Sequence, residues 1–402
     1  MPRMFLLNYI RRRKILIACT LVFCLAVMLL NENSIIYRRG YVRIFQEWYP
    51  KRNLEMKYAD QYPEVSGPMP AVILTYMRSG SSFFGEVLQS SQDVFYLFEP
   101  LRTLQFHIRK YSTFHYLDGK SRNFTNFLEI ASEALNDIFR CNFENLPLPF
   151  FTDGFLSKGK KANEFKVCML HFKSKVNISL SSAVHQCVGI IKRRCLESKH
   201  IVIKTIRIPL KVLVPFSQIF PKLKILHLVR DPRATLKSQS RFGIVKLRFL
   251  HENATNFCNR VYTDITVAKN TPTIATSRYF PISYENLAMY PIQMAVGVYR
   301  FLGISINENI MTYVHNITMG GTSCGTSRVS KLMCTKSANS SAEAGKWRLT
   351  IPYSFVSVVD SACSLLYSVL GLRSVPSEIH LRNLSYSLRG NISSNIGDFR
   401  FT

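Results

Sequence analysis

The sequence predicts an α/β fold in which a P-loop-like parallel sheet is flanked by helices and preceded by an N-terminal transmembrane helix. Three observations lead to this prediction. From residue 71 onward, short continuous apolar segments alternate with helical patterns, as in parallel sheets that are covered on both faces. Two of these segments end in small polar turns that suit an anion. Near the N-terminus, a basic cluster precedes an uncharged apolar segment.

The uncharged apolar segment covers residues 15–30 and contains no Pro or Gly. As a helix it would span about 24 Å, slightly less than a hydrocarbon core. The basic residues 11–14 before it favour a cytosolic N-terminus. We therefore predict a cytosolic tail over 1–14 and a transmembrane signal anchor over 15–30. A cleaved secretory signal is the alternative, but Leu-Leu-Asn-Glu-Asn at 29–33 is a poor small-residue cleavage site.

The rest of the chain is predicted to be translocated, with a luminal stem over 31–69 and a luminal globular domain over 70–402. The stem is polar and aromatic and ends in a Pro-rich segment, which is typical of a linker. Seven Asn-x-Ser/Thr sequons all follow the apolar segment, as expected for a translocated chain. They begin at Asn123, Asn177, Asn253, Asn316, Asn339, Asn383 and Asn391.

Eight cysteines lie outside the apolar segment, an even number that predicts up to four disulfides in an oxidising compartment. They are Cys141, Cys168, Cys187, Cys195, Cys258, Cys324, Cys334 and Cys363. Their pairing stays open at the level of sequence. No pair has the CxxC or HxxxH spacing of a zinc site, so we expect no structural metal.

Each predicted strand is a short apolar segment, and most are followed by a helical pattern. Strands are predicted over 71–77, 94–98, 201–206, 225–229 and 279–283. Helices are predicted from about residue 82 and over 210–220, 234–240, 291–302 and 355–370. The segment 320–345 is rich in Ser, Thr and Gly and is predicted to be a mobile loop.

The first predicted strand runs into Arg78, Ser79, Gly80, Ser81 and Ser82, a turn of small residues that opens a helix. Such a turn presents backbone N–H groups to an anion at the positive end of the helix dipole. The Arg adds a charged, forked donor. An ordinary Ser-capped turn is the alternative. A kinase P-loop fits less well because the second Gly and the Lys of GxxxxGK[ST] are absent, so the turn suits an anion that needs no metal.

The strand over 225–229 leads into a second turn, RDPR at 230–233. Its Asp suits a helix cap and its Pro suits the first helical turn. Arg230 is therefore expected at the carboxyl edge of the sheet, with Ser238 two turns along and facing back toward it. A surface Arg and an unrelated helix Ser are the alternative. Two anion motifs at strand ends favour a common ligand, because open parallel sheets bind ligands at that edge.

These motifs resemble those of the Golgi carbohydrate 6-O-sulfotransferases, which act on galactose, N-acetylgalactosamine and N-acetylglucosamine in keratan, chondroitin and related glycans. The resemblance covers about residues 71–400. In that family the RSGSS loop holds the 5′-phosphosulfate of the donor PAPS, and the RDPR…S segment holds its 3′-phosphate. The resemblance therefore implies the PAPS-dependent sulfotransferase fold, with residues 78–82 in the first role and Arg230 and Ser238 in the second.

Further segments resemble the same family. They are DVFYLFEPL at 93–101, IKTIR at 203–207, YENL at 284–287 with YRFLG at 299–303, and KWR at 346–348. The phrase FYLFEPL and the ending DFRF at 398–401 are most similar to the galactose and N-acetylgalactosamine branch. Two features depart from the family: its LGY is LGL at 370–372, and the segment 241–258 is short. The short segment leaves the acceptor sugar open.

Sulfuryl transfer needs an attacking hydroxyl, a base to take its proton and positive charge on the leaving phosphate oxygen. We predict that Arg78 and the loop amides stabilise the leaving side. Glu99, which follows the apolar strand at 94–98, is the predicted base; a capping or Arg-paired carboxylate is the alternative. Lys204 and Arg207 end another strand and are interpreted as donor or acceptor contacts, or as solvated surface.

The remaining motif residues have a functional or a structural interpretation. Lys346 and Arg348 either close over the nucleotide or are exposed bases beside a buried Trp347. Tyr284 and Glu285 are interpreted as structural. The nine His residues show no paired spacing that indicates catalysis.

The predicted function is transfer of a sulfuryl group from PAPS to a sugar hydroxyl, the 6-OH of Gal, GalNAc or GlcNAc, on a glycan or proteoglycan. The predicted location is the Golgi membrane, as a single-pass type II protein with a luminal catalytic domain. A net charge of +27 suits an acidic partner, while translocation excludes nucleic acid. A membrane-tethered, non-enzymatic binder of acidic glycans and a luminal Mg-ATP kinase are the alternatives. The oligomeric state stays open, with a homodimer as one alternative.

Overall fold

Five buried apolar segments form a parallel sheet, which confirms the predicted α/β architecture. In chain order the strands are β1 (Met69–Thr75), β2 (Val94–Phe98), β3 (Thr113–His115), β4 (Ser121–Asn123), β5 (His200–Thr205), β6 (Lys224–Val229) and β7 (Tyr279–Ser283). Strands β3 and β4 pair as a separate antiparallel hairpin. The other five lie in the order β2-β5-β1-β6-β7, and all of their pairings are parallel.

The register of the sheet brings the carboxyl ends of four strands to one edge. Leu74 on β1 lies opposite Thr205 on β5, and Thr75 lies opposite Leu228 on β6. Phe98, the last residue of β2, lies opposite Lys204. The polar turns that follow β1, β2, β5 and β6 are therefore neighbours in space, although they are far apart in sequence.

The structure, a computed structural model, describes residues 67–173, 178–275, 277–320, 335, 337 and 339–390. The predicted tail over 1–14, the predicted anchor over 15–30 and nearly all of the predicted stem lie outside these residues. Within the described residues no single helix is long and apolar enough to cross a membrane, although the pair Tyr353–Ala362 and Ser364–Leu370, bent by 82°, together has sufficient length and apolar composition.

Sixteen α-helices surround the sheet and hairpin within the described residues. They are α1 (Ser81–Leu88), α2 (Arg102–Ile108), α3 (Phe127–Phe139), α4 (Asn163–Lys173), α5 (Leu180–Leu196), α6 (Leu213–Ile219), α7 (Pro232–Arg241), α8 (Leu250–Asn270), α9 (Pro272–Ala275), α10 (Tyr284–Met289), α11 (Pro291–Leu302), α12 (Glu308–Met319), α13 (Ser340–Gly345), α14 (Tyr353–Ala362), α15 (Ser364–Leu370) and α16 (Glu378–Arg382). Short 3-10 helices cover Phe143–Asn145, Leu148–Thr152, Gly154–Lys158, Leu210–Val212, Leu247–Phe249 and Lys346–Leu349.

The helix ends follow the local sequence. Helix α7 begins as predicted, with the Asp231 side chain accepting from the Arg233 N–H and Pro232 in the first turn. Helix α11 spans the predicted 291–302 and ends at Gly303, whose φ of 74° favours glycine. These caps satisfy backbone groups that the helix itself leaves unpaired.

The apolar core lies on both faces of the sheet. On β1, Val72 and Leu74 face one cluster together with α3 and α5, while Ala71 and Ile73 face another together with α1 and α11. A third cluster packs α8 against α14 and α15. Burial on both faces explains why the central strands are continuously apolar rather than alternating.

Three predicted segments differ from the structure. The helix expected over 210–220 is a 3-10 turn followed by α6. The helix expected over 355–370 breaks at Cys363 into α14 and α15, because a bent pair can lay two apolar faces on α8 where a straight helix cannot. The loop expected over 320–345 ends in α13, which Asn339 caps by accepting from the Ala342 N–H.

Three disulfides cross-link the described residues. They join Cys141 to Cys195, Cys168 to Cys187, and Cys258 to Cys363. The last joins α8 to the break between α14 and α15. Cys324 and Cys334, the remaining two of the eight, lie outside the described residues.

Candidate active site

A cavity of about 690 Å³ opens at the carboxyl edge of the sheet. The loops that follow β1, β2, β5 and β6 all contribute to its wall. The lining includes Arg78, Gly80, Ser81, Ser82, Phe98, Glu99, Arg102, Phe155, Lys158, Lys204, Arg207, Arg230, Phe242, Tyr284 and Glu343. Its volume lies within the usual range for a small-molecule site.

The turn after β1 adopts a backbone conformation that its residue types permit. Gly80 has φ 86°, and a Cβ atom there would lie 2.2 Å from the ring of Tyr284. Glycine is therefore required both by the backbone angle and by the close approach of the ring. Arg78 also has a positive φ, 70°, which is uncommon for a non-glycine residue and directs it out of the strand.

Helix α1 begins at this turn without a side-chain cap. The unpaired N–H groups of its first turn are available to a ligand, and Ser81 and Ser82 line the cavity. Ser79 is fully buried and does not line it; its hydroxyl is buried without a hydrogen-bond partner in the structure. The turn thus presents backbone groups, Ser81 and Ser82 to the cavity, whereas the side chain of Ser79 does not reach it.

The Arg78 guanidinium projects from the turn into the cavity and is held from two sides. Its Nε donates to Ser238 Oγ at 3.0 Å, and its Cζ lies 4.2 Å from the centroid of the Phe242 ring. Burial, and then the positive charge of Arg230, lower the pKa of Arg78 from its usual value. Ser238 was expected to face Arg230; it contacts Arg78 instead, because α7 carries its second turn toward the β1 loop.

Arg230 lies beside Arg78 in the same cavity. Its Nη1 donates to the carbonyl oxygen of Arg78 at 3.2 Å, and its Cζ lies 4.4 Å from the centroid of the Tyr284 ring. The next residue, Asp231, donates its N–H to Glu285 Oε1 at 3.0 Å. Tyr284, interpreted as structural, therefore packs against the Arg230 guanidinium and also lines the cavity. Glu285, also interpreted as structural, holds the backbone that follows Arg230.

The second arginine of RDPR has a different position. Arg233 is fully buried and donates to both carboxylate oxygens of Asp231, at 2.9 and 2.7 Å. It also donates to Asp360 on α14 at 3.3 Å and to the carbonyl oxygen of Arg373 at 2.9 Å. This buried cluster fastens the turn that carries Arg230 to the C-terminal helices.

Glu99 lies in the cavity and is nearly inaccessible to solvent, with 2% of its surface exposed. Its Oε1 accepts from Lys204 Nζ at 2.5 Å. Arg207 Nε lies 3.0 Å from its Oε2, but not in hydrogen-bond geometry, so Oε2 has no hydrogen-bond donor among the described residues. Burial lowers the pKa of Lys204, an effect that the charge of Glu99 opposes. Glu99, Lys204 and Arg207 are therefore one ion-paired group at the ends of β2 and β5.

The KWR segment is structural where the structure describes it. Trp347 is buried, and Arg348 donates to the backbone carbonyls of Leu381, Tyr386, His380 and Asn383. Lys346 is exposed and pairs with Glu343 at 2.8 Å. The alternative of a buried Trp is thus correct, but Arg348 is buried as well, because it caps the end of α16.

Several cavity residues were missed from the sequence, among them Phe242, Phe155 and Lys158. Each lies far in sequence from the motif that it contacts, and an isolated Phe or Lys carries no recognisable pattern. In the part of the chain that the structure describes, no group of three His, Cys, Asp or Glu side chains could hold a metal ion.

At the carboxyl edge of the parallel sheet, the uncapped start of α1 lies beside two adjacent arginines, an arrangement that suits an anionic ligand. Residues 70–308 match the model of the sulfotransferase family. The chain belongs to the sulfotransferase family.

Relatives with known names agree with this assignment. The chain is 28% identical over 368 residues to carbohydrate sulfotransferase 1 of Danio rerio, covering 83% of this chain and 85% of the relative. It is 29% identical over 346 residues to carbohydrate sulfotransferase 5 of Mus musculus, covering 79% and 84%. It is 27% identical over 359 residues to carbohydrate sulfotransferase 3 of Homo sapiens, covering 81% and 72%. The resemblance to carbohydrate sulfotransferases is confirmed.

Among solved structures, mouse sulfotransferase SULT7A1 complexed with PAP is 13% identical, with a TM-score of 0.39 over 79% of this chain and 89% of that chain. The sulfotransferase domain of the Synechococcus PCC 7002 olefin synthase is 17% identical, with a TM-score of 0.41 over 76% and 97%. At these TM-scores neither likeness bears on the site.

Proposed function

We propose that this chain transfers a sulfuryl group from PAPS to a hydroxyl of a glycan or proteoglycan, at the 6-OH of Gal, GalNAc or GlcNAc. The proposal rests on one observation: Arg78, Arg230 and the uncapped start of α1 lie together in one cavity. The relatives named carbohydrate sulfotransferases support a sugar acceptor.

The residues present suit a bisphosphorylated nucleotide. Gly80 leaves a cradle that a Cβ atom would fill, and Arg230 Nε is buried without a hydrogen-bond partner in the structure. Backbone amides at a helix start and forked guanidinium donors are the groups that bind phosphate and sulfate oxygens. When bound, PAPS supplies the sulfuryl group that is transferred.

The two arginine motifs would hold the two ends of the donor. Residues 78–82 are assigned to the 5′-phosphosulfate and Arg230 to the 3′-phosphate. Ser238 accepts from Arg78 Nε and still has its own hydroxyl hydrogen to donate, so it can orient Arg78 and contact a phosphate. Arg78 is half-buried, where its charge acts on the leaving oxygen more strongly than it would in water.

Glu99 is the proposed general base. Lys204 fixes its Oε1, whereas Oε2 has no donor in hydrogen-bond geometry, so it can take a proton from a hydroxyl once the buried contact with Arg207 opens. A base must reach the proton that it removes, and Glu99 lies on the cavity wall. The ion pair with Lys204 also orients the carboxylate before substrate binds.

The proposal is tested by incubating the full-length protein with PAPS and a panel of desulfated glycans, followed by mass spectrometry of the products. We expect a sulfate ester at a 6-hydroxyl, with EDTA having no effect. Binding of acidic glycans without any transfer would support the non-enzymatic binder instead. Transfer from Mg-ATP that EDTA abolishes would support the kinase.

We also propose a Golgi location with a luminal catalytic domain. Support comes from the uncharged segment at 15–30, the sequons and the three disulfides, which require an oxidising compartment. Imaging of the tagged full-length protein together with protease protection of N-terminal and C-terminal tags tests it. A C-terminal tag that is digested in sealed vesicles would contradict this orientation.

A further inference from the structure

The sheet order divides the cavity into two parts. The arginines assigned to the donor follow β1 and β6, which are neighbours, whereas the loops after β2 and β5 lie on the other side of β1. We call the wall formed by Phe98, Glu99, Phe155, Lys158 and Lys204, together with Arg102 and Arg207, the β2–β5 half. Strand β2 is two strands away from β1, roughly 10 Å.

Positive charge is in excess in the β2–β5 half. Lys204 and Arg207 share the single carboxylate of Glu99, and Arg102 pairs with Asp153 at 3.1 Å. Lys158 is the fourth cation, and Glu86 is a further carboxylate that acts on it, so four cations face three carboxylates. The formal charge of this half is therefore positive before any ligand binds.

Lys158 differs from the other three cations. Its Nζ lies 4.5 Å from the centroid of the Phe98 ring and 4.7 Å from that of Phe155, and those two rings pack edge to face at 5.2 Å. Within the described residues no carboxylate lies within 4 Å of its Nζ, and no hydrogen-bond acceptor contacts it. An ammonium group on ring faces is attracted to them, but its three N–H donors still need acceptors.

The ring contacts of Lys158 and most of the charges that act on it lie on the Glu99 side of the cavity. The charged groups that act on it are Glu86, Glu99, Arg102 and Asp153, and burial, the largest influence, lowers its pKa. Arg78, by contrast, is acted on by Arg230. The ammonium is therefore partly desolvated and short of acceptors, and neither Arg78 nor Arg230 is among the charged groups that act on it.

We propose that Lys158 recognises a negatively charged substituent on the acceptor glycan, so that the enzyme prefers acceptors that already carry a sulfate ester or a uronate carboxylate near the reacting sugar. This inference rests on the proposed sulfotransferase function and names its acceptor class. An anionic substituent would supply the missing hydrogen-bond acceptors and reduce the repulsion among the four cations. A neutral sugar could supply hydrogen-bond acceptors but could not reduce the repulsion among the cations.

The test compares kcat/KM for matched acceptor pairs, with full-length wild type, Lys158→Gln and Lys158→Arg. One pair is a galactose–hexosamine tetrasaccharide with and without a sulfate ester; the other is a uronate-containing tetrasaccharide and its carboxyl-reduced form. We expect wild type to prefer the charged member of at least one pair. Lys158→Gln should lower that preference about tenfold, mainly through the KM of the charged acceptor, and Lys158→Arg should retain most of it.

The neighbouring Lys160→Gln is the matched control, because Lys160 points to the Tyr313 ring and does not line this cavity. Stabilisation of each variant by adenosine 3′,5′-bisphosphate reports that it is folded. If Lys158→Gln keeps the preference for the charged acceptor, the inference is overturned and Lys158 is structural. If Lys158→Gln keeps that preference but raises the KM for PAPS, the inference is overturned and Lys158 contacts the donor. Transfer to charged and neutral acceptors with equal efficiency in wild type would also overturn it, while leaving the proposed function intact. Absence of transfer to every acceptor would refute both.

Discussion

Arg78 Nε donates to Ser238 Oγ at 3.0 Å, although 160 residues separate the two in the chain. This hydrogen bond joins the loop after β1 to the helix after β6 at the edge of the cavity. It places the hydroxyl of one anion motif on the arginine of the other, so the two motifs form one unit rather than two independent pockets.

The Arg78–Ser238 contact predicts that Ser238→Ala weakens donor binding by releasing the Arg78 guanidinium. A hydrogen bond to a charged group contributes about 1.5–3 kcal/mol, so the KM for PAPS should rise about tenfold or more. Steady-state kinetics at saturating acceptor measures it. Ser240→Ala is the control, because its hydroxyl donates to the Lys237 carbonyl in its own helix. Equal KM values for the two variants would contradict a role for Ser238 in the site.

The ion-paired carboxylate of Glu99 predicts a separation of binding from chemistry. Glu99→Gln keeps the shape of the side chain but cannot take a proton, so kcat should fall about 10²–10⁴-fold while adenosine 3′,5′-bisphosphate still binds. Rapid-quench transfer assays and calorimetric titration of the nucleotide measure the two effects. An unchanged kcat would remove Glu99 from the mechanism and leave it as the counter-ion of Lys204 and Arg207.

The contact between Gly80 and Tyr284 predicts a steric effect that can be told apart from backbone strain. Gly80→Ala should weaken nucleotide binding at least tenfold, because its Cβ would lie 2.2 Å from the ring. Gly119→Ala is the matched control: its φ is 78°, close to that of Gly80, yet a Cβ there would meet nothing within 4 Å. Backbone strain should cost both variants about 1–2 kcal/mol of stability, and the clash should cost Gly80→Ala more, but Gly119→Ala should leave the KM for PAPS unchanged. If the double variant Gly80→Ala/Tyr284→Ala binds nucleotide no more tightly than the single variant Gly80→Ala, the clash is not the cause of the weaker binding.

Much of this site could be predicted from the sequence, because strand-end motifs are local. The turn at Gly80 and the cap at Asp231 are specified by neighbouring residues, and the parallel sheet then brings Arg78, Glu99 and Arg230 to one edge. The direction in which Ser238 points could not be predicted, since it depends on how α7 packs. The same limit applies to Lys158, which reaches the cavity through contacts with Phe98 and Phe155.

A buried chain of polar side chains behind the site predicts a pH dependence of stability. Asp264 on α8 accepts from Tyr76 Oη at 2.8 Å, and Tyr76 Oη lies 2.9 Å from His227 Nε2. His227 Nδ1 lies 2.5 Å from Tyr279 Oη. Every hydrogen finds an acceptor if His227 is neutral: Tyr279 donates to Nδ1, the Nε2–H donates to Tyr76, and Tyr76 donates to Asp264.

Burial, and then the charge of Arg260, lower the pKa of His227 from 6.5 to about 3. The unfolded chain therefore binds a proton between about pH 6.5 and pH 3 that the folded chain does not. By linkage the free energy of unfolding falls as the pH falls through this window, and the contribution of His227 from pH 7 to pH 5 is about 2 kcal/mol. Asp264, whose pKa is raised by burial, acts in the opposite direction as the pH falls toward its ordinary value of 3.8.

The measurement is urea unfolding of wild type and His227→Gln at pH 7 and pH 5. The variant should be less stable at pH 7, because Gln replaces a ring that fits both tyrosines, but its loss of stability on acidification should be smaller than that of wild type by about 2 kcal/mol. Tyr279→Phe is the control, since it removes one hydrogen bond and keeps the imidazole. Identical pH dependence in wild type and His227→Gln would show that His227 is protonated in the folded protein.

The buried Arg233 predicts that the donor site depends on the C-terminal helices. Asp360 accepts from Arg233, from the Tyr367 hydroxyl at 2.7 Å and from the Val375 N–H at 2.7 Å. Removing one partner of a buried ion pair leaves the other unpaired, so Arg233→Met should lower the free energy of unfolding by about 3–5 kcal/mol. Because Arg233 also holds Asp231, which precedes it in the turn after Arg230, the KM for PAPS should rise in the same variant.

Arg348→Met, which removes a buried arginine that bonds backbone carbonyls near α16, is the control for stability loss alone. If both variants lose the same free energy of unfolding but only Arg233→Met raises the KM for PAPS, the buried cluster positions Arg230. If neither variant raises the KM for PAPS, Glu285 and Tyr284 hold the turn without the help of Arg233.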